Sequence, residues 1–509
     1  MLPDETSWMD AVNVSVLPCS VLHEPRLSVK GPANAQLPLC VDLDGTLTPS
    51  DTLVEGLLGT LGRPAMFGAA RALVTNGRTG LKRFTATAAP LDASLLPYCE
   101  PLLSYIKAQR GSGRRVVLVT AADISVARRV ASHLGLFDEV IASDGRENLK
   151  GSAKARALVS RFGQRGFAYA GNDASDLDVW REAGAVILVN APRHVADAAR
   201  VLCNVEAEFP PVGGVLRGIV RALRPHQWSK NFLIFIPLFT AHALSSGGAW
   251  LAAIATFAAF CATASAIYVV NDLTDLPADR RHPRKRLRPF ASGAVPIPVG
   301  LGAAAALLAT GLLLATLSGT LPVLLLYAML SVSYSLRLKE LPLVDVFVLA
   351  GLYTVRMFAG ALAIGHSLSL WLLGFSAFLF LSLALVKRVE ELRSTAKSGG
   401  GWLARRGYTP DDAATLQSFG TASSFAASLV LALFVQGEAT AQSYASPGML
   451  WAIVPLILFW QCRVWLSAAR GYMHDDPIVY AARDWVSWVV AASAFLILAA
   501  AKSVGNIVL

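Results

Sequence analysis

The sequence predicts a two-part fold, an N-terminal α/β domain with a parallel sheet and a helical cap, followed by an all-α bundle of nine transmembrane helices. Three observations carry this. Of 509 residues, 54% are hydrophobic and 16% charged, with a mean hydropathy of +0.49, whereas a soluble chain carries roughly 25% charged residues. Residues 1–215 hold 22 Lys/Arg and 22 Asp/Glu, while residues 216–509 hold 23 and 13, so the whole net charge of +10 belongs to the second part. That part also runs without any Asp, Glu, Lys or Arg over 231–271, 289–336, 357–386, 413–437, 439–462 and 485–501, each stretch long enough for at least one crossing of about 20 residues.

The elements follow in order. Residues 1–36 lack a clear period and read as a leader; the acidic start MLPDETSWMD has neither the basic nor the apolar region of a signal peptide, which predicts a first domain that stays in the cytosol. From 37 to 209, short apolar runs at 39–41, 116–119, 167–170 and 186–189 alternate with helical stretches, the pattern of a parallel sheet covered by helices. Residues 51–110 predict a mostly helical cap. The turn-rich segment 210–216 (PPVGGVL) marks the linker. From 217 to 509, nine spans are expected near 231–246, 249–270, 295–316, 321–337, 343–364, 368–386, 416–436, 447–466 and 485–503.

The charged loops all fall on one side. Arg217 to Lys230, Arg280 to Arg288, Arg337 and Lys339, Lys387 to Arg406, and Arg463 to Arg483 alternate with loops near 245–248, 317–320, 365–367 and 437–446 that contain no Lys or Arg. The positive-inside rule then puts the N-terminal domain and the charged loops in the cytosol and the C-terminus on the far side. No basic stretch is interleaved with aromatics, so the pI of 9.4 reads as membrane rather than nucleic-acid chemistry. Six scattered cysteines without C-x-x-C spacing argue against a disulfide framework or a zinc site.

The segment Leu39-Cys40-Val41-Asp42-Leu43-Asp44-Gly45-Thr46 sets two carboxylates at the C-terminal end of a buried strand, where open parallel sheets bind ligands. Asp42 can attack phosphorus, and Asp44 can protonate the leaving oxygen and later activate water. A phosphate needs positive charge beside such acids. Thr120 ends a second strand, Lys154 opens a helix, and Gly171-Asn172-Asp173-Ala174-Ser175-Asp176 follows a further strand with hard oxygen donors suited to Mg2+.

DLDGT, then Thr, then Lys, then GNDxxD closely resembles the haloacid dehalogenase (HAD) superfamily of aspartyl phosphatases. The resemblance implies Asp42 as nucleophile, Asp44 as acid/base, Thr120 and Lys154 as phosphate binders, and Asp42, Asp44, Asp173 and Asp176 around Mg2+. Asn172 stands where the family pattern G-D-x-x-x-D has Asp, so Asp173 is expected to supply the missing charge.

In the second part, spacings of three and four put Asp272, Asp275 and Asp279 on one helical face with Asn271 beside them, and Pro277 bends or ends that helix. Converging acids at a membrane face call for a cation, and Mg2+ carrying a diphosphate satisfies them. His282-Pro283-Arg284-Lys285-Arg286-Leu287-Arg288-Pro289 follows as a basic loop for the remaining phosphate charge. A second acidic cluster, Asp475, Asp476 and Asp484, precedes the last span, and Tyr334, Lys339 and Arg356 lie between the two.

N-D-x-x-D-x-x-x-D followed by a basic run ending Arg288-Pro289, on nine spans, closely resembles the UbiA superfamily of intramembrane prenyltransferases. Arg224-Pro225-His226-Gln227-Trp228-Ser229-Lys230-Asn231, ADRRHPRKRLRP and HDDPIVYAARD look like the branch that transfers 5-phosphoribose from phosphoribosyl diphosphate to decaprenyl phosphate. The resemblance implies one Mg2+ in each domain and a multi-pass protein of the bacterial inner membrane, with Arg224, Lys230, Lys285, Arg288, Tyr334, Lys339, Arg356, Asp475, Asp476 and Asp484 expected to bind substrate; the second motif departs from the D-x-x-x-D form of aromatic prenyltransferases, which leaves the roles of Asp475, Asp476 and Asp484 open. The fused phosphatase is then expected to remove the 5-phosphate of the product. Two alternatives stay open: a prenyl diphosphate alkylating an aromatic acceptor at the same acids, and a transporter with an attached phosphatase.

Overall fold

The computed structural model describes residues 26–27, 37–60, 64–144, 148–211, 213–241, 243–367, 369–397, 406–437, 440, 444–473 and 477–503. The chain forms two compact units, Met1–Ala222 with Val269–Gly302, and Leu223–Tyr268 with Ala303–Leu509. The boundary therefore differs from a single break at 210–216, because the acid motif and the basic loop belong to the first unit by their contacts.

The first unit is built on a seven-stranded sheet of order β1-β7-β6-β5-β2-β3-β4, with β1 Arg26–Leu27, β2 Leu39–Val41, β3 Val116–Asp123, β4 Glu139–Ser143, β5 Ala168–Gly171, β6 Ala185–Val189 and β7 Val205–Phe209. Every pairing is parallel except β1 with β7. Alternation along the strands fills two cores. Leu39, Val41, Val116 and Leu118 point into one layer, and Cys40, Val117, Val119, Tyr169 and Trp180 into the other, all fully buried, which is why these strands read as continuous apolar runs. Helix Thr52–Thr60 and the helical segment Ala65–Ala88, kinked at Gly77, fill the expected cap region. Helix Glu100–Gly111 instead packs Leu102, Leu103 and Ile106 into the sheet core.

The membrane part has seven helices long and apolar enough to cross a bilayer among the described residues: Gly247–Thr274, Ile297–Leu317, Val344–Ala363, Leu370–Ser394, Asp412–Gln436, Pro447–Ala469 and Trp485–Lys502. The apolar helix Leu321–Leu336 is shorter. The first expected span is a 3₁₀ stretch, Pro225–Phe235, running into the brief helix Ile236–Thr240, with Pro225 and Pro237 each removing a backbone donor. The protein is a multi-pass membrane protein. Its helices meet through small residues and hydroxyl pairs: a side chain at Gly420 would strike Trp465 at 2.2 Å, and Trp465 Nε1 donates to Ser382 and Ser424 at 3.0 and 3.1 Å, contacts typical of helices packed in lipid.

Helix Leu370–Lys397 corrects one expectation. Lys387 to Lys397 are not loop but three further turns of the sixth span, because Lys387, Arg388, Glu390 and Glu391 sit where their charges find partners rather than where the apolar pattern stops.

Candidate functional sites

In the first unit the C-terminal ends of β2, β3 and β5 deliver Asp42, Asp123 and Asn172 to one crevice. Asp42 is 8% exposed. Its Oδ1 accepts from Leu43 N at 2.8 Å and its Oδ2 lies 2.9 Å from Lys154 Nζ. Lys154, in the first turn of Ser152–Phe162, also donates to Tyr169 Oη at 2.7 Å, and Tyr169 donates to Asp176 Oδ1 at 3.0 Å. Burial raises the Asp42 carboxyl, opposed by Lys154 and aided by Asp176. Burial would depress Lys154, but Asp42 and Asp176 hold it above its ordinary value. Asp44 Oδ1 accepts from Thr52 N at 2.8 Å, and burial, then the Asp51 charge, push its pKa to about 7.

The loop after β5 differs from expectation. Asp176 turns away from the crevice, its Oδ2 accepting from Asn172 N and Asp173 N at 2.9 and 3.0 Å. Asp173 is exposed and accepts from Ala174 N and Ser175 Oγ at 2.7 and 3.2 Å. It caps a short turn and also lines the crevice with Asp42, Asp44 and Asn172. Asn172 itself packs on the DGT turn, accepting from Thr46 Oγ1 at 3.1 Å. Gly45, at φ +79°, permits this, since a Cβ there would lie 2.2 Å from Asn172 Nδ2. Thr120 is fully buried, its hydroxyl accepting from Ala122 N at 3.0 Å.

Sequence reasoning missed three further cations. Arg78 and Lys82 of the cap and Lys150, just before helix Ser152–Phe162, line the same cleft of about 680 Å³, and Lys82 Nζ donates to Ala121 O at 2.6 Å and Asn148 Oδ1 at 2.8 Å. No spacing signal marks them, because they come to the cleft from different elements.

The acid motif occupies a helix end in the same unit. The long helix stops at Thr274 and a new one, Leu276–Arg281, starts with Pro277 in its first turn. Asp275 N bonds Asn271 O at 2.9 Å and Asp279 N bonds Asp275 O at 2.8 Å, so the helical spacing survives the break. Asp272 and Asp279 are buried, and Arg288 Nη1 bridges them at 3.1 and 2.6 Å. Asp275 is half-buried at the head of the short helix, and Lys285 sits in the exposed turn Lys285–Leu287. The expected three-acid convergence is therefore a pair. Among the described residues no three His, Cys, Asp or Glu side chains gather to hold an ion. The pair still fits Mg2+, which takes one or two carboxylates, waters and substrate phosphate, and Arg288 shows that a cation seats between these acids. In the crevice, the buried Asp42 and the half-buried Asp44, both with raised pKa values, face one lysine and are likewise under-neutralised, and Mg2+ fits there too.

In the second unit Arg356 is buried, donating to Asn231 Oδ1 at 2.7 Å and Tyr327 Oη at 3.2 Å. Its guanidinium and the Lys230 ammonium both lie on the Tyr353 ring, 5.8 and 5.9 Å from the centroid. Arg224, at φ +53°, stacks on Tyr268 at 5.0 Å, and Lys339 is half-buried in the turn Leu338–Glu340. A cluster the sequence reading left in a loop is more concentrated. Arg388 lies 2.7 Å from Asp345, both fully buried, and also pairs with Glu391. Tyr408 Oη donates to Asp345 at 2.6 Å, and Arg406 donates to Tyr334 Oη at 3.1 Å. The i,i+3 spacing of Arg388 and Glu391 is the one signal that could have found it. Asp345→Ala strips the buried Arg388 of one of its two carboxylates, Glu391 remaining, and a loss of up to about 3 kcal/mol is expected, read as a lowered Tm in detergent.

Asp484 does not face a site. It accepts from Ser487 N at 2.9 Å, from Ser487 Oγ at 2.8 Å and from Arg463 at 2.7 Å, capping helix Trp485–Ser503. Asp484→Ala should cost about 1 kcal/mol in thermal melting and leave donor KM unchanged; a raised KM would return Asp484 to the binding set. Asp475 and Asp476 lie outside the described residues.

The model of the UbiA prenyltransferase family matches residues 234–475, and that of haloacid dehalogenase-like hydrolases matches residues 39–181. The chain is 38% identical over 273 residues to nodulation protein NoeC of Azorhizobium caulinodans, covering 53% of this chain and 88% of that one. It belongs to the UbiA prenyltransferase family. This UbiA-family chain carries a HAD-like hydrolase domain ahead of its membrane part, and it is 37% identical over 468 residues to the uncharacterized protein y4nM of Sinorhizobium fredii, across 90% of this chain and 89% of that relative. It is also 36% identical over 195 residues to decaprenyl-phosphate phosphoribosyltransferase of Corynebacterium glutamicum, covering 37% of this chain and 59% of that one.

Proposed function

We propose that this enzyme transfers 5-phosphoribose from phosphoribosyl diphosphate to a polyprenyl phosphate, such as decaprenyl phosphate, and that its HAD domain then removes the 5-phosphate. The likeness to decaprenyl-phosphate phosphoribosyltransferase carries the first half. The Asp42–Lys154–Asp44 crevice on the same chain supports the second.

In the transfer step a lipid phosphate oxygen bonds to ribose C1 as the C1–O bond to diphosphate breaks. Arg288 and Lys285 of the first unit, and Lys230, Arg356, Arg224, Tyr334 and Lys339 of the second, are the residues assigned to substrate and phosphate contacts. Mg2+, held by Asp272 and Asp279 with Asn271 and Asp275 nearby, and by Asp42 and Asp44 in the phosphatase, supplies charge neutralisation of phosphate oxygens when bound. In the second step the Asp42 carboxylate attacks phosphorus, Asp44 protonates the departing ribose O5, and Lys154 steadies the phosphoryl oxygens. Water then attacks the aspartyl-phosphate, Asp44 takes its proton, and inorganic phosphate leaves. The reading includes a bacterial inner-membrane location with the charged loops and the HAD domain in the cytosol.

The test is incubation of purified protein and Mg2+ with radiolabelled phosphoribosyl diphosphate and decaprenyl phosphate. Label in the lipid supports the reading. Consumption of a prenyl diphosphate with an aromatic acceptor, and no label in lipid, replaces it with an aromatic prenyltransferase. A pH profile probes Asp44 separately. The acid must be protonated to release O5, so kcat/KM for phosphate ester hydrolysis is expected to fall as pH rises through about 7, and Asp44→Asn should lose that limb along with most of the activity.

A further inference from the structure

The phosphatase crevice is not walled by the HAD domain alone. Apolar residues Leu53, Val54 and Leu91 from the cap region line it together with Pro296, Ile297 and Pro298, and Ile297 is the first residue of the membrane helix Ile297–Leu317. The same cleft is lined by Asp42, Asp44, Lys154, the cap cations Arg78 and Lys82, and Lys150. One cleft thus combines charged groups for a phosphate with apolar groups contributed by a membrane span as it begins.

Two independent features hold this segment in place. Arg280 Nη1 and Nη2 donate to Glu55 Oε2 and Oε1 at 2.8 and 2.6 Å, and Arg280 Nε donates to Ala291 O at 3.1 Å. The pair is nearly dry, with side chains 6% and 4% exposed, and the planar fork of arginine suits such a two-point contact. Glu55 lies on helix Thr52–Thr60, whose first amide binds Asp44, so the clamp acts on the element that orients the acid. The second feature is Gly293, at φ +75°, where a Cβ would meet Pro49 Cγ at 2.4 Å; the loop lies flush on the turn that follows DLDGT.

We infer that the 289–298 segment, clamped by Arg280 and Glu55, makes the phosphatase selective for a phosphate monoester carrying an apolar tail, that is, one presented at a membrane surface rather than a free sugar phosphate. This rests on the phosphatase half of the proposed function and names its substrate class. Glu55 and Arg280 are positioning residues, and the specificity determinants are the exposed Pro296 and Pro298 together with the buried Ile297 between them in sequence.

The experiment uses the full-length protein in lipid nanodiscs and measures phosphate release from p-nitrophenyl phosphate and from butyl, hexyl and decyl phosphate below their micellar concentrations. A buried methylene is worth about fourfold, so wild-type kcat/KM is expected to rise at least tenfold from butyl to decyl. Ile297→Ser should flatten that rise and leave p-nitrophenyl phosphate turnover within about twofold. Glu55→Gln and Arg280→Gln should flatten the rise too, while also lowering p-nitrophenyl phosphate turnover because the helix they clamp orients Asp44, and the double variant, in which two neutral amides replace the ion pair, guards against a single variant that unfolds because one buried charge is stranded. A wild-type protein indifferent to tail length overturns the inference, as does an Ile297→Ser variant that keeps the full rise. A protein that shows the rise yet ignores phosphoribosyl diphosphate would instead sink the transferase reading and leave this one standing.

Discussion

Asp42→Asn is expected to halt the chain's second reaction and spare its first: label from phosphoribosyl diphosphate still enters lipid, but the product keeps its extra phosphate. The amide matches the carboxylate in size and cannot attack phosphorus, so ester hydrolysis should fall by at least about 10³-fold. Folding should survive. Lys154 keeps Tyr169 at 2.7 Å and Asp176 at 3.8 Å, so its charge is not left alone when Asp42 becomes neutral. Thin-layer separation of the lipid products with and without added phosphatase reads the outcome. If Asp42→Asn and wild type give the same lipid, the HAD domain does not act on that product.

The second large effect is expected at Asp272. Asp272→Asn leaves Arg288 bound to Asp279 alone and removes half of the carboxylate pair that fits Mg2+. Loss of transition-state charge stabilisation of this kind is worth roughly 10²–10³ in rate, and the Mg2+ concentration for half-maximal transfer should rise. Hydrolysis of p-nitrophenyl phosphate by the same preparation serves as the folding control and is expected to hold. Transfer unchanged at saturating Mg2+ would remove Asp272 from the site.

Much of this was legible in residue order. DLDGT and Lys154 meet as the motif order implied, because parallel strands deliver their C-terminal ends to one crevice whatever lies between them, whereas Thr120 is buried with its hydroxyl on Ala122 N. Asp272 and Asp279 converge because seven residues is two helical turns. Other expectations missed for physical reasons. Arg388 and Glu391 read as a cytosolic loop because hydropathy registers their charge and not their buried partners Asp345 and Tyr408.

The sequence by itself determined the two-part plan, the aspartyl-phosphatase motif, the acid-rich helix end and the membrane character, all of which depend on local period, spacing and composition. Only the tertiary structure decided that Arg288 bridges two acids rather than three, that Asp176 turns from the crevice to organise its loop, and that Arg280 joins Glu55 across 225 positions of chain. A salt bridge of that separation leaves no periodic trace, since its energy comes from the burial that folding creates and not from either residue's neighbours in the chain.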